Sequence, residues 1–320
     1  MKLAFIADPL DSFQTYKDTT FAMMREADSR GHALYAMEQQ DLMWRDRVVS
    51  GQARRLHLTG EKNAWYRAEA AAATPLAEFD AVLMRKDPPF DMEYVYSTYL
   101  LELAEIQGAH VFNRPRAIRD HNEKMAIARF AELTAPSLVT RSDSVIREFL
   151  AEHGDIILKP LDGMGGVGVF RVHAQDHNVN VIVETLTHNG RRSIMAQRFI
   201  PEIRDGDKRV LLIGGKPVPY CLARIPRPGE TRGNLAAGAT GIARELSKRD
   251  REIAEAMGPA LHREGLLLVG LDVIGDYLTE VNVTSPTCFQ EIAEQTGFNV
   301  AGMMLDALEA ASPGRKENRR

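Results

Sequence analysis

Asp155-Ile-Ile-Leu-Lys-Pro-Leu-Asp-Gly-Met-Gly-Gly-Val-Gly-Val-Phe170 decides how the rest of this chain is read. Ile156 to Leu158 is an apolar run that reads as a buried strand closed by Lys159. An unpaired ammonium at the end of a buried strand costs several kcal/mol, so this lysine is expected to bind something. Next comes Asp162-Gly163-Met164-Gly165-Gly166-Val167-Gly168, whose glycines let backbone N–H groups turn toward a polyanion. Val169 to Val172 is a second β-type run. Strand, lysine, glycine loop and strand together describe a hairpin flap over phosphates. No Gly-Lys-Ser/Thr opens a helix, so this is not a Walker loop. Gly163-x-Gly165-x-x-Gly168 runs into a strand, so it is not a dinucleotide fingerprint. For the glycines alone a flexible hairpin with an incidental lysine is an equal reading; the partners found elsewhere in the chain favour nucleotide phosphate.

Composition sets the outer limits. A chain of 320 residues with 44% apolar residues can bury a large core and is expected to divide into subdomains. Net charge −4 and a pI near 6.2 leave no footprint for nucleic acid. The two cysteines, Cys221 and Cys288, make neither a disulfide framework nor a Cys-rich zinc site, which suits a reducing compartment. The run Met1–Ala7 is interrupted by Asp8-Pro9, too short for a signal peptide. No stretch approaches the roughly 18 apolar residues of a membrane span. A soluble, cytoplasmic protein is expected.

The first part alternates strand and helix. Leu3–Ala7 is a strand, Asp18 or Thr19 caps a helix to about Arg30, and Gly31 ends it. Ala33–Met37 is a second strand, and residues 44–75 look polar and irregular, with short β pieces. Phe79–Met84 is a third strand, followed by a helix from about Glu93 to Gln107 and a strand near His110–Phe112. This is a small doubly wound sheet, and ligands bind such sheets beyond the carboxyl ends of their strands. Asp8, Arg85, Lys86 and Asp87 lie at that edge. The prolines make a solvated turn the reading for Lys86 and Asp87; for Arg85 a functional role and a solvated turn are equal readings.

Asn113-Arg114-Pro115 reads as a hinge. Asn122-Glu123-Lys124 then starts an amphipathic helix bearing Ala126, Ile127, Phe130 and Leu133. A lysine in a first turn opposes the helix dipole, so Lys124 is either simply exposed or faces a bound anion. A strand near Leu138–Thr140 and a helix from Ser142 to His153 lead into the flap. Beyond it, Ile194–Ile200 reads as a strand, Asp205-Gly206-Asp207 as a turn, and Val210–Ile213 with Val218–Ile225 as a strand pair. Arg209 and Arg224 lie on that pair, positioned to face an anion. Residues 226–241 carry two prolines, four glycines, Thr231 and Asn234 without hydrophobic periodicity, and read as a lid with Arg232 as its phosphate-binding group. Leu266–Val283 forms two apolar strands around Gly275-Asp276. Glu280 and Asn282 share one strand face, and with Asp272 they offer hard oxygen ligands suited to Mg²⁺ held beside phosphates. A shared ion requires Asp272 to face Glu280, which a two-residue turn alone forbids; an odd connection or a bulge is needed. Ser285 follows as a substrate contact. The chain ends in a helix to about Ala311 and a charged tail.

These residues resemble the ATP-grasp pattern, and the likeness extends to the prokaryotic glutathione synthetases over nearly the whole chain. It is carried by residues 17–23, 84–91, 157–166, 219–226, 229–237 and 280–288. The chain departs mildly from that pattern at Val167-Gly168 and at Arg198-Phe199. The resemblance implies an α/β (α+β) architecture: an N-terminal doubly wound pre-ATP-grasp domain (1–121), a lid subdomain with the flap (122–200), and a C-terminal subdomain with the metal site and the mobile loop 226–241 (201–320).

It also implies an ATP-dependent carboxylate–amine ligase joining γ-glutamylcysteine to glycine through an acyl phosphate, with ATP and two Mg²⁺ or Mn²⁺ ions, in a homotetramer. In that scheme Lys124, Lys159, Gly163, Gly165 and Gly166 hold ATP phosphates. Gln197, Arg198, Phe199 and Ile200 frame adenine with backbone groups, and Asp207 meets the ribose. Asp272, Glu280 and Asn282 hold metal, while Arg209, Arg224 and Arg232 stabilise the transferred phosphoryl group. Arg85, Asn234 and Ser285 contact the acid substrate. The alternatives are an ATP-grasp ligase for another acid and amine, and an ATP-binding module of the same fold without turnover.

Overall fold

Leu3–Ile6 is buried on both faces, so the first strand can only be central. In the computed structural model, which describes residues 1–61 and 64–312, β1 (Lys2–Ile6) is flanked by two parallel strands, β2 (Ala33–Met37) and β7 (Ala81–Met84). Helix α1 (Thr19–Ser29) begins where the Asp18 carboxylate accepts the Phe21 N–H at 2.7 Å and ends before Gly31, whose φ is +76°. Between β2 and β7 lie β3 (Leu42–Arg45), β4 (Val48–Leu58), β5 (Tyr66–Ala68) and β6 (Ala72–Pro75). They extend the sheet as an antiparallel apron in the order β3-β4-β2-β1-β7-β8, with β8 at Val111–Phe112 and β5 and β6 paired to β4. The sequence suggested an irregular stretch here. Regular pairing prevails because β4 buries Val49 and Leu56 together with Gly51, where a Cβ would lie 2.3 Å from the Met37 sulfur.

Helix α2 (Met92–Ile106), N-capped by Asp91, and the short α3 (Pro115–Asp120) pack on one another. The expected hinge at Asn113-Arg114-Pro115 is a fixed junction instead. The buried Asn113 amide donates to the carbonyls of Leu268 (2.7 Å) and Val283 (2.8 Å) and accepts the N–H groups of Leu267 (2.7 Å) and Leu268 (3.0 Å). All four of its bonding positions are filled, which bolts the first domain to the last sheet.

The amphipathic segment after Lys124 is a 3₁₀ run, Met125–Leu133, and not an α-helix. Asn122 Oδ1 accepts the N–H groups of both Lys124 and Met125, a side-chain turn that competes with α-helical bonding. Phe130 breaks the run with φ −130° and ψ 45°. Next come β9 (Ser137–Thr140), α4 (Asp143–His153), β10 (Asp155–Pro160), β11 (Phe170–His173), α5 (Val179–Thr187) and β12 (Ile194–Arg198), the strands forming an antiparallel sheet β11-β10-β12-β9. This sheet has a core of its own around Ile146, Leu158, Val172 and Val183.

The last sheet runs β15-β14-β13-β16-β17, with β13 (Asp207–Ile213), β14 (Lys216–Ile225), β15 (Thr240–Glu245), β16 (Leu268–Ile274) and β17 (Tyr277–Asn282). Helices α6 (Lys248–Arg263), α7 (Phe289–Thr296) and α8 (Val300–Ala311) cover it. Its core is continuous with that of the N-terminal domain: Ala4, Ile6 and Val82 belong to the same cluster as Val210, Leu212 and Val269. Among the described residues no helix is long and apolar enough to cross a membrane. The charged tail expected beyond the last helix lies in 313–320, outside the described residues.

Candidate active site

The two C-terminal sheets face each other across a cavity of about 270 Å³. β10 supplies Lys159, β12 Gln197, β13 Asp207 and Arg209, β14 Arg224, β16 Asp272, and β17 Glu280 and Asn282. The flap between β10 and β11 and the segment 231–235 form the remaining wall.

The hairpin β16–β17 turns at Gly275-Asp276, with Ile274 opposite Tyr277. That register alone would send Asp272 and Glu280 to opposite faces. A bulge corrects it: Val273 pairs Leu278, Asp272 pairs Glu280, and Thr279 is the extra residue. The Thr279 hydroxyl donates to the Asp272 carbonyl (3.1 Å), and its carbonyl accepts from Lys159 Nζ (3.4 Å). The bulge thereby ties the two carboxylates and the flap lysine together.

Four cations, Lys124, Lys159, Arg209 and Arg224, meet four carboxylates, Glu123, Asp207, Asp272 and Glu280, along this cavity. Arg209 Nε donates to Asp272 Oδ1 at 2.6 Å, and Arg224 lies 2.5 Å from Asp207 and 3.0 Å from Asp272. Burial alone would raise the Asp272 pKa, but the two guanidiniums outweigh it and hold this carboxyl well below the usual range. Asp207 behaves oppositely. Burial pushes it up to about 6 although Arg224 pulls it down, and its Oδ1 is buried without a hydrogen-bond partner among the described residues. Lys124 Nζ donates to Glu123 and to the Gly163 carbonyl (3.2 Å) and lies 3.6 Å from Glu280. Lys159 Nζ lies 3.8 Å from Glu280, and burial lowers its pKa. The first-turn lysine that opposed a helix dipole is therefore a buried member of this cluster.

Glu123 escaped the sequence reading. Its side chain lines the cavity, its carbonyl accepts the Val281 N–H at 2.8 Å, and burial followed by the Glu280 charge pushes its pKa up to about 7. The sequence hinted at it only by an acid next to Lys124. Asp87 is a second omission. The sequence predicts a solvated turn for it, yet it lines the cavity and its carboxylate accepts the Ser285 hydroxyl. Lys86 pairs with Asp8 at 2.7 Å.

The other expected residues divide. Gly163, Gly165, Gly166, Ser285 and Asn234 line the cavity, as do Arg198, Phe199 and Ile200. Backbone recognition by Arg198 and Phe199 needs correction, because their N–H groups already donate to the carbonyls of Pro136 and Asp155 at 2.9 and 3.0 Å. The Ile200 carbonyl accepts the Ile203 N–H at 3.1 Å, so among the described residues the carbonyls of Arg198 and Phe199 and the Ile200 N–H remain for a base. Phe199 is instead covered by the Arg171 guanidinium, 3.6 Å from its ring centre. Arg85 does not line the cavity: it is buried, donating to Thr20 (3.2 Å) and to the Pro286 carbonyl (3.0 Å), and meets the wall only at the Ser285-Pro286 turn. Arg232 lies across the flap, where a Cβ on Gly166 would stand 2.9 Å from Arg232 Cδ and 2.6 Å from Asn234 Oδ1, while its guanidinium pairs with Glu230 at 2.6 Å.

Asp272, Glu280 and Asn282 suit a hard divalent cation by donor type, all oxygen, and by register. Among the described residues no three His, Cys, Asp or Glu side chains group as a ready metal site; this set has two carboxylates and one amide, with Asp272 held by guanidiniums.

Two family models match the chain: the N-terminal domain of prokaryotic glutathione synthetase over residues 1–119, and the ATP-grasp domain of prokaryotic glutathione synthetase over residues 123–297. The chain is 65% identical over 312 residues to a glutathione synthetase of Ralstonia nicotianae, covering 98% of this chain and 96% of that one. It is 66% identical over 312 residues to one of Nitrosomonas europaea, covering 97% and 98%. Among solved structures, D-cycloserine synthetase DcsG superposes with a TM-score of 0.67 at 15% identity, covering 97% of this chain and all of that one. The ATP-grasp ligase PsnB with its minimal precursor gives 0.64 at 20%, covering 97% and 99%; both share the fold.

Proposed function

The chain belongs to the prokaryotic glutathione synthetase family, and from that premise we propose how its cavity divides the work. It is an ATP-dependent ligase of glutathione biosynthesis. ATP phosphorylates the cysteinyl carboxylate of γ-glutamylcysteine. The amine of glycine then attacks the acyl carbon, loses its proton and expels phosphate, leaving glutathione and ADP.

The observation that carries the assignment of roles is the cluster of Lys124, Lys159, Arg209 and Arg224 with Glu123, Asp207, Asp272 and Glu280 beneath two glycine-bearing loops. Phosphoryl transfer asks mainly for positioning and charge stabilisation, so such a set is sufficient without a protein nucleophile. Lys124 and Lys159 neutralise the inner phosphates while Gly163, Gly165 and Gly166 present backbone N–H groups to the outer ones. Gln197, the carbonyls of Arg198 and Phe199, and Ile200 frame the base; Asp207, whose buried Oδ1 has no hydrogen-bond partner among the described residues, is assigned to the ribose. Arg209 and Arg224 offer forked donors to the transferred phosphoryl group, and Arg232 reaches it from the lid. Asn234 and Ser285 hold the acid, with Arg85 fixing the turn that carries Ser285. Mg²⁺ or Mn²⁺, two ions in this reading, would be held by Asp272, Glu280 and Asn282 and would offset phosphate charge. Excluding water from the acyl phosphate falls to the loop 226–241. We read the molecule as a homo-oligomer, a tetramer by family likeness.

Purified protein with Mg-ATP is expected to release phosphate only when γ-glutamylcysteine and glycine are both present. Equal release with D-alanine alone, or none with any acid–amine pair, would sink the assignment.

A further inference from the structure

Helix α2 is apolar on two sides. Tyr94, Leu101 and Ala104 face the interior with Ser97 and Thr98. On the opposite side Met92, Tyr96, Tyr99, Leu103 and Ile106 are 57%, 51%, 51%, 41% and 79% exposed. Their spacing of four, three, four and three residues places them on one continuous stripe. Scattered exposed apolar residues need no explanation, but five large ones aligned on one helix do.

We propose that this stripe is a contact between two copies of the chain, their α2 helices antiparallel about a two-fold axis passing near Tyr99. The assignment deepens the homo-oligomer reading by naming its surface. Three observations favour a second copy over any other occupant. The stripe is self-complementary: Met92 lies seven residues before Tyr99 and Ile106 seven after, Tyr96 three before and Leu103 four after. An antiparallel copy therefore sets Met92 on Ile106, Tyr96 on Leu103, and Tyr99 on itself, as an isologous interface requires.

The charges also match. The N-terminal end of α2 carries exposed Asp91 and Glu93, whereas its C-terminal end abuts the basic turn Arg45-Asp46-Arg47. Gln107 fixes that turn, donating to the Arg47 carbonyl and accepting the Val49 N–H, both at 2.9 Å. In the antiparallel pair each acidic end meets the other copy's arginines, and the helix dipoles oppose. Lastly, the stripe with Val48 exposes on the order of 600 Å² per copy, most of the roughly 800 Å² per partner of a standard interface before any rim is added.

The test uses the full chain of 35.7 kDa. Wild type is expected to sediment as an oligomer, and Tyr96→Asp/Leu103→Asp to halve its mass while circular dichroism and turnover stay within twofold. Tyr99→Cys supplies a check that does not depend on polar substitutions. Cys221 and Cys288 are buried, so oxidation or a short bis-maleimide should join two chains of this variant through position 99. An oligomer whose mass the double variant leaves unchanged, and which the Tyr99→Cys substitution does not make cross-linkable, overturns this surface alone. A monomeric wild type overturns the oligomer reading with it. A double variant that loses binding to lipid vesicles or to another protein, with its mass unchanged, assigns the stripe to that partner and overturns the proposal.

Discussion

Arg224 and Arg232 serve the same cavity and are held in opposite ways. Arg224 is buried between the carboxylates of Asp207 and Asp272, on neighbouring strands of one sheet. Arg232 sits in a loop and, among the described residues, pairs only with Glu230, two residues away. The first position is set by the fold whether or not substrate is bound. The second has no long-range ion pair among the described residues, so its place over the flap depends on what lies beneath. Charges that the fold neutralises are therefore expected to control stability and chemistry together, and charges awaiting a ligand to control coupling alone.

Arg224→Met tests the first half with the largest expected effect. It strands Asp207, whose other oxygen already has no partner among the described residues, and removes one of two guanidiniums from Asp272. Breaking a buried pair from one side costs about 3–5 kcal/mol, roughly 5–10 °C in Tm for a chain of this size. Loss of a forked donor to the phosphoryl group should lower kcat by about 10³-fold. Calorimetry and phosphate release read the two. Glu280→Gln sharpens the contrast inside the same cluster. Its ion pairs are long, 3.6 and 3.8 Å, so kcat should fall roughly 10²-fold or more while Tm changes little. A fall in Tm equal to that of Arg224→Met would make Glu280 a structural residue.

The lid half is tested by Arg232→Ala. The KM for ATP should be nearly unchanged while glutathione formed per ATP consumed drops several-fold, because water reaches the acyl phosphate. In parallel, trypsin should cut the free protein at Arg227 or Arg232 and cut more slowly with ATP and γ-glutamylcysteine bound. A variant that loses ATP binding with coupling intact would place the segment in the nucleotide pocket. Gly166→Ala acts on the contact between the loops: φ is +79° there and the new Cβ meets Arg232 and Asn234. About tenfold in kcat/KM for ATP is expected, with Tm within a few degrees.

The two regions were legible in the sequence to different degrees. Lys159, the glycines and the pair Glu280 and Asn282 stood out because charged or flexible residues interrupt apolar strands. The need for a bulge between Asp272 and Glu280 followed from strand alternation, and Thr279 supplies it. The features less legible in the sequence depend on tertiary contacts or on weak local signals. Asn113 looked like a hinge because its four partners are more than 150 residues away. The apron strand β4 buries Gly51 and Ala53, which carry no apolar signal. Helix α6 was missed although Ser247 and Asp250 form a capping box ahead of Ile253, Ala254, Met257 and Leu261. Glu123 became visible only in the fold, where its carbonyl accepts the Val281 N–H beside the β16–β17 hairpin.

Glu123 also yields the smallest expected effect. Burial and the Glu280 charge raise its pKa from the ordinary 4.5 to about 7. A carboxyl raised in the folded state favours folding in its protonated form. Its contribution is complete below about pH 4.5 and is lost as pH rises through about 7. Glu123→Gln keeps an acceptor for Lys124 and cannot ionise, so it retains that contribution at every pH. In the protein without nucleotide, the variant should melt level with wild type near pH 5. At pH 8 it should melt a few degrees higher, the full linkage being at most about 3 kcal/mol. A Tm difference that is the same at pH 5 and pH 8, or that favours wild type at pH 8, would mean Glu123 is ionised throughout. Glu123 would then stand charged against Lys124 before any ligand arrives.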